Sequence, residues 1–130
     1  MKKDIESRAD IQFFVDKFYG GMQSDDLVGH VFLEVERVDF SKHLPKMYDF
    51  WEMLLFDGRA YQGAPMQNHL RINAHHPLTA AHFERWLELF RATIDADFEG
   101  PKAEEAKSKA HHIAETWKYK FAHLNGEARA

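Results

Sequence analysis

The sequence predicts an all-α fold of about five helices of unequal length, and three observations carry that prediction. Apolar residues recur every three or four positions through long segments. Turn signals built from Gly, Pro, Asp and Asn cut the chain into helix-sized pieces. The one alternating stretch, Leu33 to Val38, has no partner strand, and a lone strand is not stable. With 130 residues, 45% apolar and 29% charged, the chain has the length of one domain and can bury one sizeable core. No internal repeat, low-complexity tract or long linker divides it, so 1–130 is read as one domain with an N-terminal extension at 1–9 and a C-terminal tail at 125–130.

The first helix is expected after Asp10, a good N-cap residue, with Ile11, Phe14, Val15, Phe18 and Met22 on one face and Gly20-Gly21 weakening its last turns. A short helix follows Asp25 or Asp26 and turns Leu27, Val28, Val31 and Phe32 toward the core. The next runs from about Phe40 to Phe56, with Leu44, Met47, Tyr48, Trp51, Leu54 and Leu55 inward. Pro45 inside it lacks an N–H and crowds the carbonyl four residues back, which kinks the helix near Ser41 or delays its regular part to Leu44. Asp57-Gly58 stops it. Gly63, Pro65, Asn73 and Pro77 then mark a region that is mostly loop, with one short helical turn at Pro65 to Leu70 and with His69, His75 and His76 inside it. Thr79 caps a strongly periodic helix with Phe83, Trp86, Leu87, Phe90 and Ile94 on its core face, ending before Gly100. Pro101 suits the first turn of the last helix, where Ala103, Ala106, Ala110, Ile113, Ala114, Trp117, Phe121 and Leu124 share a face.

The net charge of -4 and a pI of about 6.1 argue against nucleic acid and anionic membrane surfaces as partners, since both favour clustered Lys and Arg. The absence of Cys removes disulfides, thiolate nucleophiles, iron–sulfur ligation, Cys-containing zinc sites and C-x-x-C-H haem attachment, and it fits a reducing compartment. Met1-Lys2-Lys3 has the look of a signal-peptide start, but Asp4, Glu6, Arg8 and Asp10 follow, and no apolar run exceeds four residues, Met53 to Phe56. The expectation is a soluble, unexported, cytoplasmic protein.

No Gly-rich phosphate loop, H-E-x-x-H, G-x-S-x-G or EF-hand loop occurs. A di-iron carboxylate bundle needs Glu-x-x-His, and no Glu here has a His three residues later. The pairs His75-His76 and His111-His112 cannot each face one ion, because neighbours on a helix point about 100° apart, so they read as solvated. What stands out is eleven Phe, three Trp and four Tyr beside nine His. An aromatic core with solvated histidines explains the composition alone, and a lone His such as His69 is commonly a surface or capping residue. Yet Tyr19, His43 and Trp86 each carry a polar tip on an aromatic body, on or beside the apolar face of a different helix, and buried tips need hydrogen-bond partners. Were the helices to enclose a haem with His69 on one side of the iron, those tips on the other side would face a diatomic ligand, with Phe rings around the porphyrin.

Four segments in order carry a family resemblance: Phe18-Tyr19 with Val31-Phe32 downstream; His43-Leu44-Pro45-Lys46-Met47-Tyr48-Asp49-Phe50-Trp51; Tyr61-Gln62-Gly63-Ala64-Pro65-Met66-Gln67-Asn68-His69; and Pro77-Leu78-Thr79 through His82-Phe83-Glu84-Arg85-Trp86-Leu87-Glu88-Leu89-Phe90. None is diagnostic alone, but together the sequence resembles a truncated haemoglobin, and within that family group III, from about Ile11 to about Trp117. The resemblance implies a shortened globin fold, two helices over two, around non-covalent haem b. It matches His69 to the proximal iron ligand and Tyr19, His43 and Trp86 to the distal ligand-binding positions. Phe32 matches an aromatic packed on the haem, and Met47, Phe50, Trp51, Leu55, Phe83, Phe90 and Ile113 are further expected pocket walls, with Arg71, and also Arg59, placed to meet the propionates. Residues 33–38 become an irregular corner. The chain departs from the pattern in Gly20-Gly21 directly after the distal tyrosine and in a long loop after His69.

The implied function is binding of O2, NO or CO at a His-ligated iron. No acidic residue lies within five positions of His69, so a backbone carbonyl is its expected partner, whereas a peroxidase would usually place a carboxylate there. Donors from Tyr19 and Trp86 would each hold a charged ligand by roughly 1–3 kcal/mol, which suits O2 or NO chemistry, such as NO dioxygenation, better than bulk oxygen transport. His43 would gate the pocket or act as acid and base. Such a cycle needs an external electron donor or reductase, and nothing demands more than a monomer. Two alternatives stay open: peroxidase-like activity, and a haem-free globin-like interaction or sensor domain in which the three tips satisfy one another.

Overall fold

The protein is described by a computed structural model in which residues 2–29, 40–59, 61 and 78–125 are placed. Among these residues the fold consists of four α-helices: α1 (Arg8–Gln23), α2 (Phe40–Phe56), α3 (Ala80–Asp97) and α4 (Pro101–Leu124). Helix α1 packs on α2 and α3, and α4 packs on α3 and α2, so two helices lie over two around a shared core. None of these helices is long and apolar enough to cross a membrane.

Helix α1 begins earlier than its sequence signals suggested. Ser7 is the N-cap and Asp10 lies in the first turn. The Asp10 carboxylate there accepts the Glu6 N–H at 2.8 Å and the Lys3 ammonium at 2.8 Å, so it caps the incoming chain from inside the helix. The helix runs through Gly20-Gly21 to Gln23 and buries Ile11, Phe14, Val15, Phe18, Tyr19 and Met22. After it the Asp25 carboxylate accepts the N–H groups of Leu27 and Val28, both at 3.1 Å. Val28 is buried as expected, whereas Leu27 is 38% exposed, because the turn held by Asp25 points it outward. Val31, Phe32 and the alternating stretch at 33–38 lie outside the described residues.

Helix α2 occupies the expected span and takes Pro45 into its interior. Trp51 and Leu55 are buried, and Leu44, Met47, Tyr48, Phe50 and Leu54 pack half-buried against the core. Asp57 ends it in the left-handed region at φ 57°, and the Gly58 N–H returns to the Glu52 carbonyl at 3.2 Å. Residues 62–77, expected to be mostly loop and containing His69, Arg71, His75 and His76, lie outside the described residues.

Thr79 is the N-cap of α3, which buries His82, Phe83, Leu87, Phe90 and Ile94. Pro101 opens α4, whose buried face is narrower than the sequence suggested: Ala103, Ala106, Ala110, Ala114 and Phe121 are buried, and Ile113 and Trp117 are half-buried. Leu124 is 52% exposed, since it lies past the last ring contact between α3 and α4. The first residues are built into the α3–α4 corner. Lys3 bridges Phe98, the Glu99 N–H donates to the Lys3 carbonyl at 2.9 Å, and Ile5 is 1% exposed. The Asp4 carboxylate accepts the N–H groups of Lys102 at 2.9 Å and Ala103 at 2.8 Å, capping α4 from the far end of the chain. Gly100 has φ 139°, and a Cβ there would stand 2.6 Å from the Asp4 carboxyl carbon, so both its backbone and its lack of a side chain are required.

Candidate functional site

The site is assembled where α1, α2 and α3 meet. The 3.6-residue period of α1 puts Phe18 and Tyr19 on the buried side together, so Tyr19 reaches α2 while Phe18 reaches α3. On the α2 side the His43 ring meets the Tyr19 ring edge-on, with centroids 5.0 Å apart and planes at 84°. The His43 Nε2 atom is buried. On the α3 side Phe18 lies edge-on to the half-buried Trp86 at 5.6 Å. Phenol, imidazole and indole, from three helices, are thus linked through a single phenylalanine.

Beneath them is a stack. Trp86 lies parallel to Phe90 at 5.8 Å, and Phe90 is parallel to Trp51 at 4.8 Å, with Phe18 edge-on to Phe90 at 5.1 Å. Phe50 continues from Trp51 at 5.6 Å toward Tyr61 at 5.2 Å. Offset and edge-to-face aromatic pairs add about 0.5–1.5 kcal/mol each beyond area burial, so the rings hold the polar tips on a stiff base.

Burial pushes the Tyr19 phenol far above its ordinary range, and the phenol of Tyr61 adds to this. Tyr19 is therefore a neutral O–H donor at physiological pH. Tyr61 is itself raised by burial. The sequence placed Tyr61 only within a matching segment, and Phe18 on a core face and in a matching segment. An electrostatic coupling between a helix residue and one in a loop 42 positions on leaves no trace in spacing.

Of the expected pocket residues, the structure brings together Tyr19, His43, Trp86, Phe50, Trp51 and Phe90. Phe83, on the buried face of α3, packs against α4 instead, stacked on Phe121 at 5.5 Å and edge-on to Trp117 at 6.5 Å. Met47 and Ile113 are half-buried, and Leu55 is buried near the end of α2, where its carbonyl accepts the Lys102 ammonium at 2.5 Å. Arg59 is exposed. Phe32, His69 and Arg71 fall outside the described residues, and among the described residues no group of three or more His, Asp or Glu could hold a metal ion.

The donor set fits one half of a haem site. A phenol and an indole can donate to a small ligand, an imidazole can donate or accept, and the surrounding rings are apolar enough to exclude water.

Comparison with known proteins identifies the family and the fold. The family model of the bacterial-like globins matches residues 3–119. The chain is similar to the group 3 truncated hemoglobin ctb of Campylobacter jejuni, 26% identical over 98 residues, which is 73% of this chain and 75% of that protein. Its fold is similar to the crystal structure of the group III truncated hemoglobin from Campylobacter jejuni, with a TM-score of 0.80 at 23% identity over 93% of this chain and 95% of that one.

Proposed function

Because the chain belongs to the bacterial-like globin family, we propose that it binds haem b through His69 and holds a diatomic ligand against Tyr19, His43 and Trp86. Family membership implies haem, whose iron supplies a coordination position open to O2, NO or CO. The observation that carries the reading is the approach of Tyr19 to His43 at 5.0 Å, with Trp86 joined to them through Phe18.

The roles of the side chains follow from their chemistry. Tyr19, kept neutral by burial, offers its O–H, and Trp86 can offer only its indole N–H. Two fixed donors favour a ligand that gains negative charge when bound, and each is worth roughly 1–3 kcal/mol in a dry pocket. Such holding slows release, which suits reaction of O2 or NO better than bulk oxygen transport. His43, with a ring nitrogen that can take or return a proton near neutral pH, is placed to serve that reaction. The electron that completes such a cycle comes from an external donor. The proposed setting is the reduced cytoplasm, with the protein acting as a monomer.

The test is an absorption spectrum of the purified protein, reconstituted with haem where needed, in ferric, dithionite-reduced and CO-exposed samples, repeated on His69→Ala. A sharp Soret band that moves on reduction and again with CO, and that is disturbed by the substitution, is the expected result. Well-folded protein that takes up no stoichiometric haem overturns the proposal. Normal ligation in His69→Ala moves the iron ligand to another histidine.

A further inference from the structure

His82 is buried, at 9% exposure, yet it belongs to no part of the pocket described above. Its Nδ1 lies 3.1 Å from the Thr79 backbone nitrogen and 3.0 Å from the Thr79 hydroxyl. A backbone N–H can only donate, so Nδ1 must present a lone pair, and the ring is neutral with its proton on Nε2. His82 thus fills the third helical position of a capping box, where Glu or Gln normally reaches back to the N-cap N–H. The difference lies in mild acid. A Gln oxygen stays an acceptor there, whereas an imidazole takes a second proton near pH 6.5 when unperturbed, and Nδ1 then turns a donor toward a donor.

We propose that His82 is a positioning residue, an acid-sensitive cap whose neutral ring fixes the start of α3 and, through it, the seat of Trp86 against Phe18. Trp86 follows His82 by one helical turn, on the same side of α3. The link to the ligand rests on the function proposed above; the cap itself does not. Among the described residues, the charged groups brought to this end of α3 are already paired. Asp25, after α1, holds Arg85 at 2.7 Å, and Arg85 also meets Glu88. From α4, Lys118 meets Glu84 at 3.7 Å and Glu115 at 3.0 Å. At the end of α4 the Asn125 amide donates to the Leu78 carbonyl at 3.2 Å, and His123 is exposed. Carboxylates, Lys and Arg keep their charge between pH 5.5 and 8, in the range of about pH 5 to 8 where histidine is the side chain that changes, which leaves His123 as the control.

The experiment is nitrogen NMR of the histidine rings of the full chain, with amide exchange and thermal unfolding, from pH 8 to 5.5. Expected is a His82 ring protonated on Nε2 alone at pH 8, with protection of the Thr79 amide falling at the same midpoint as the ring titrates. His82→Gln keeps that protection to pH 5.5. The wild-type unfolding midpoint falls over this range by about 3–5 °C more than that of His82→Gln, while His123→Gln behaves as wild type. In the haem-loaded, reduced protein, CO release changes severalfold more across the range in wild type than in His82→Gln, which keeps His43. A ring protonated on Nδ1 at pH 8, or a Gln variant as acid-sensitive as wild type, overturns the cap. CO release with the same pH dependence in wild type and His82→Gln, with the NMR and unfolding results intact, overturns the link to Trp86. Absence of haem uptake counts against the proposed function and leaves the NMR and unfolding arms to decide the cap.

Discussion

Two regions of this small protein treat polar groups in opposite ways. At the α3–α4 corner, Asp4 receives the N–H groups of Ile5, Lys102 and Ala103, and Lys102 in turn reaches the Leu55 carbonyl and the Glu105 carboxylate. The bonds from Asp4 to Lys102 and Ala103 and from Lys102 to the Leu55 carbonyl tie chain ends or helix ends together, which is how polar groups serve stability. Where α1, α2 and α3 meet, the polar tips of Tyr19, His43 and Trp86 are instead carried inward on rings, beside Phe18 and Phe90. Phenylalanine or leucine would fill such space without any cost of desolvating a hydroxyl or an imidazole. The difference teaches that the corner is built to hold the helices, whereas the function proposed above gives the three tips a task of their own.

The largest expected effect tests whether the aromatic face has a foundation of its own. Phe90 is fully buried and touches the rings of Phe14, Phe18, Trp51 and Trp86. Phe90→Ala is expected to lower stability by about 3–5 kcal/mol in urea unfolding and to alter the near-ultraviolet circular dichroism of the stacked tryptophans. A loss below about 1 kcal/mol would mean that the stack is not what supports the polar tips.

Tyr19→Phe separates the two regions most directly. It removes one oxygen from the aromatic face and is expected to speed O2 release from the haem-loaded protein by about tenfold to a hundredfold, the equivalent of roughly 1–3 kcal/mol. The unfolding free energy should move by less than about 1 kcal/mol. If stability fell as much as ligand retention, Tyr19 would belong with the corner, as a structural bond.

At the corner the expectation is reversed. Asp4→Ala should cost about 1–2 kcal/mol of stability and leave ligand release unchanged. Burial raises Asp4, but the N–H groups of Lys102, Ala103 and Ile5, with the Lys102 charge, outweigh it and hold the carboxyl below its ordinary range. Its contribution is therefore complete above the unfolded value of about 3.9 and is lost as pH falls through the lower folded value. The gap between wild type and Asp4→Ala in acid unfolding should hold from pH 7 to about 4 and close below that. A gap that opened on acidification would have the wrong sign for this carboxylate.

These contrasts also explain which parts were legible in the sequence. Helices α2 and α3 were readable because Trp51, Leu55, Phe83, Phe90 and Ile94 follow the helical period and Thr79 is a capping residue by type. The start of α1 was displaced to Ser7 because Asp10 caps from within the first turn, and side-chain type alone does not tell the two geometries apart. Asp4 was invisible, since its partners are 98 and 99 residues away. The three polar tips were found because each is an aromatic with a heteroatom on an apolar face, a local signal. Tyr61 and the His82 cap were missed, the first for want of any spacing rule and the second because His is an unusual third residue for a capping box.

The smallest effect sharpens the comparison at the residue where the two demands meet. Gly20 and Gly21 follow Tyr19 inside α1, both are exposed, neither has positive φ, and an added Cβ at either would find nothing within 4 Å. Nothing in the folded state requires glycine there, and glycine in a helix interior costs roughly 0.5–1 kcal/mol relative to alanine. Each Gly→Ala change should therefore stabilise the protein by about that amount, mainly by restricting the unfolded chain. Among the described residues, α1 reaches the rings of the proposed pocket through Phe14, Phe18 and Tyr19, none of which is changed, so the doubly substituted protein should keep its ligand release rate while its unfolding midpoint rises. A release rate that changes with the midpoint would show that the loosened last turn of α1 sets the freedom of Tyr19, and that the aromatic face draws on backbone softness as well as on its buried tips.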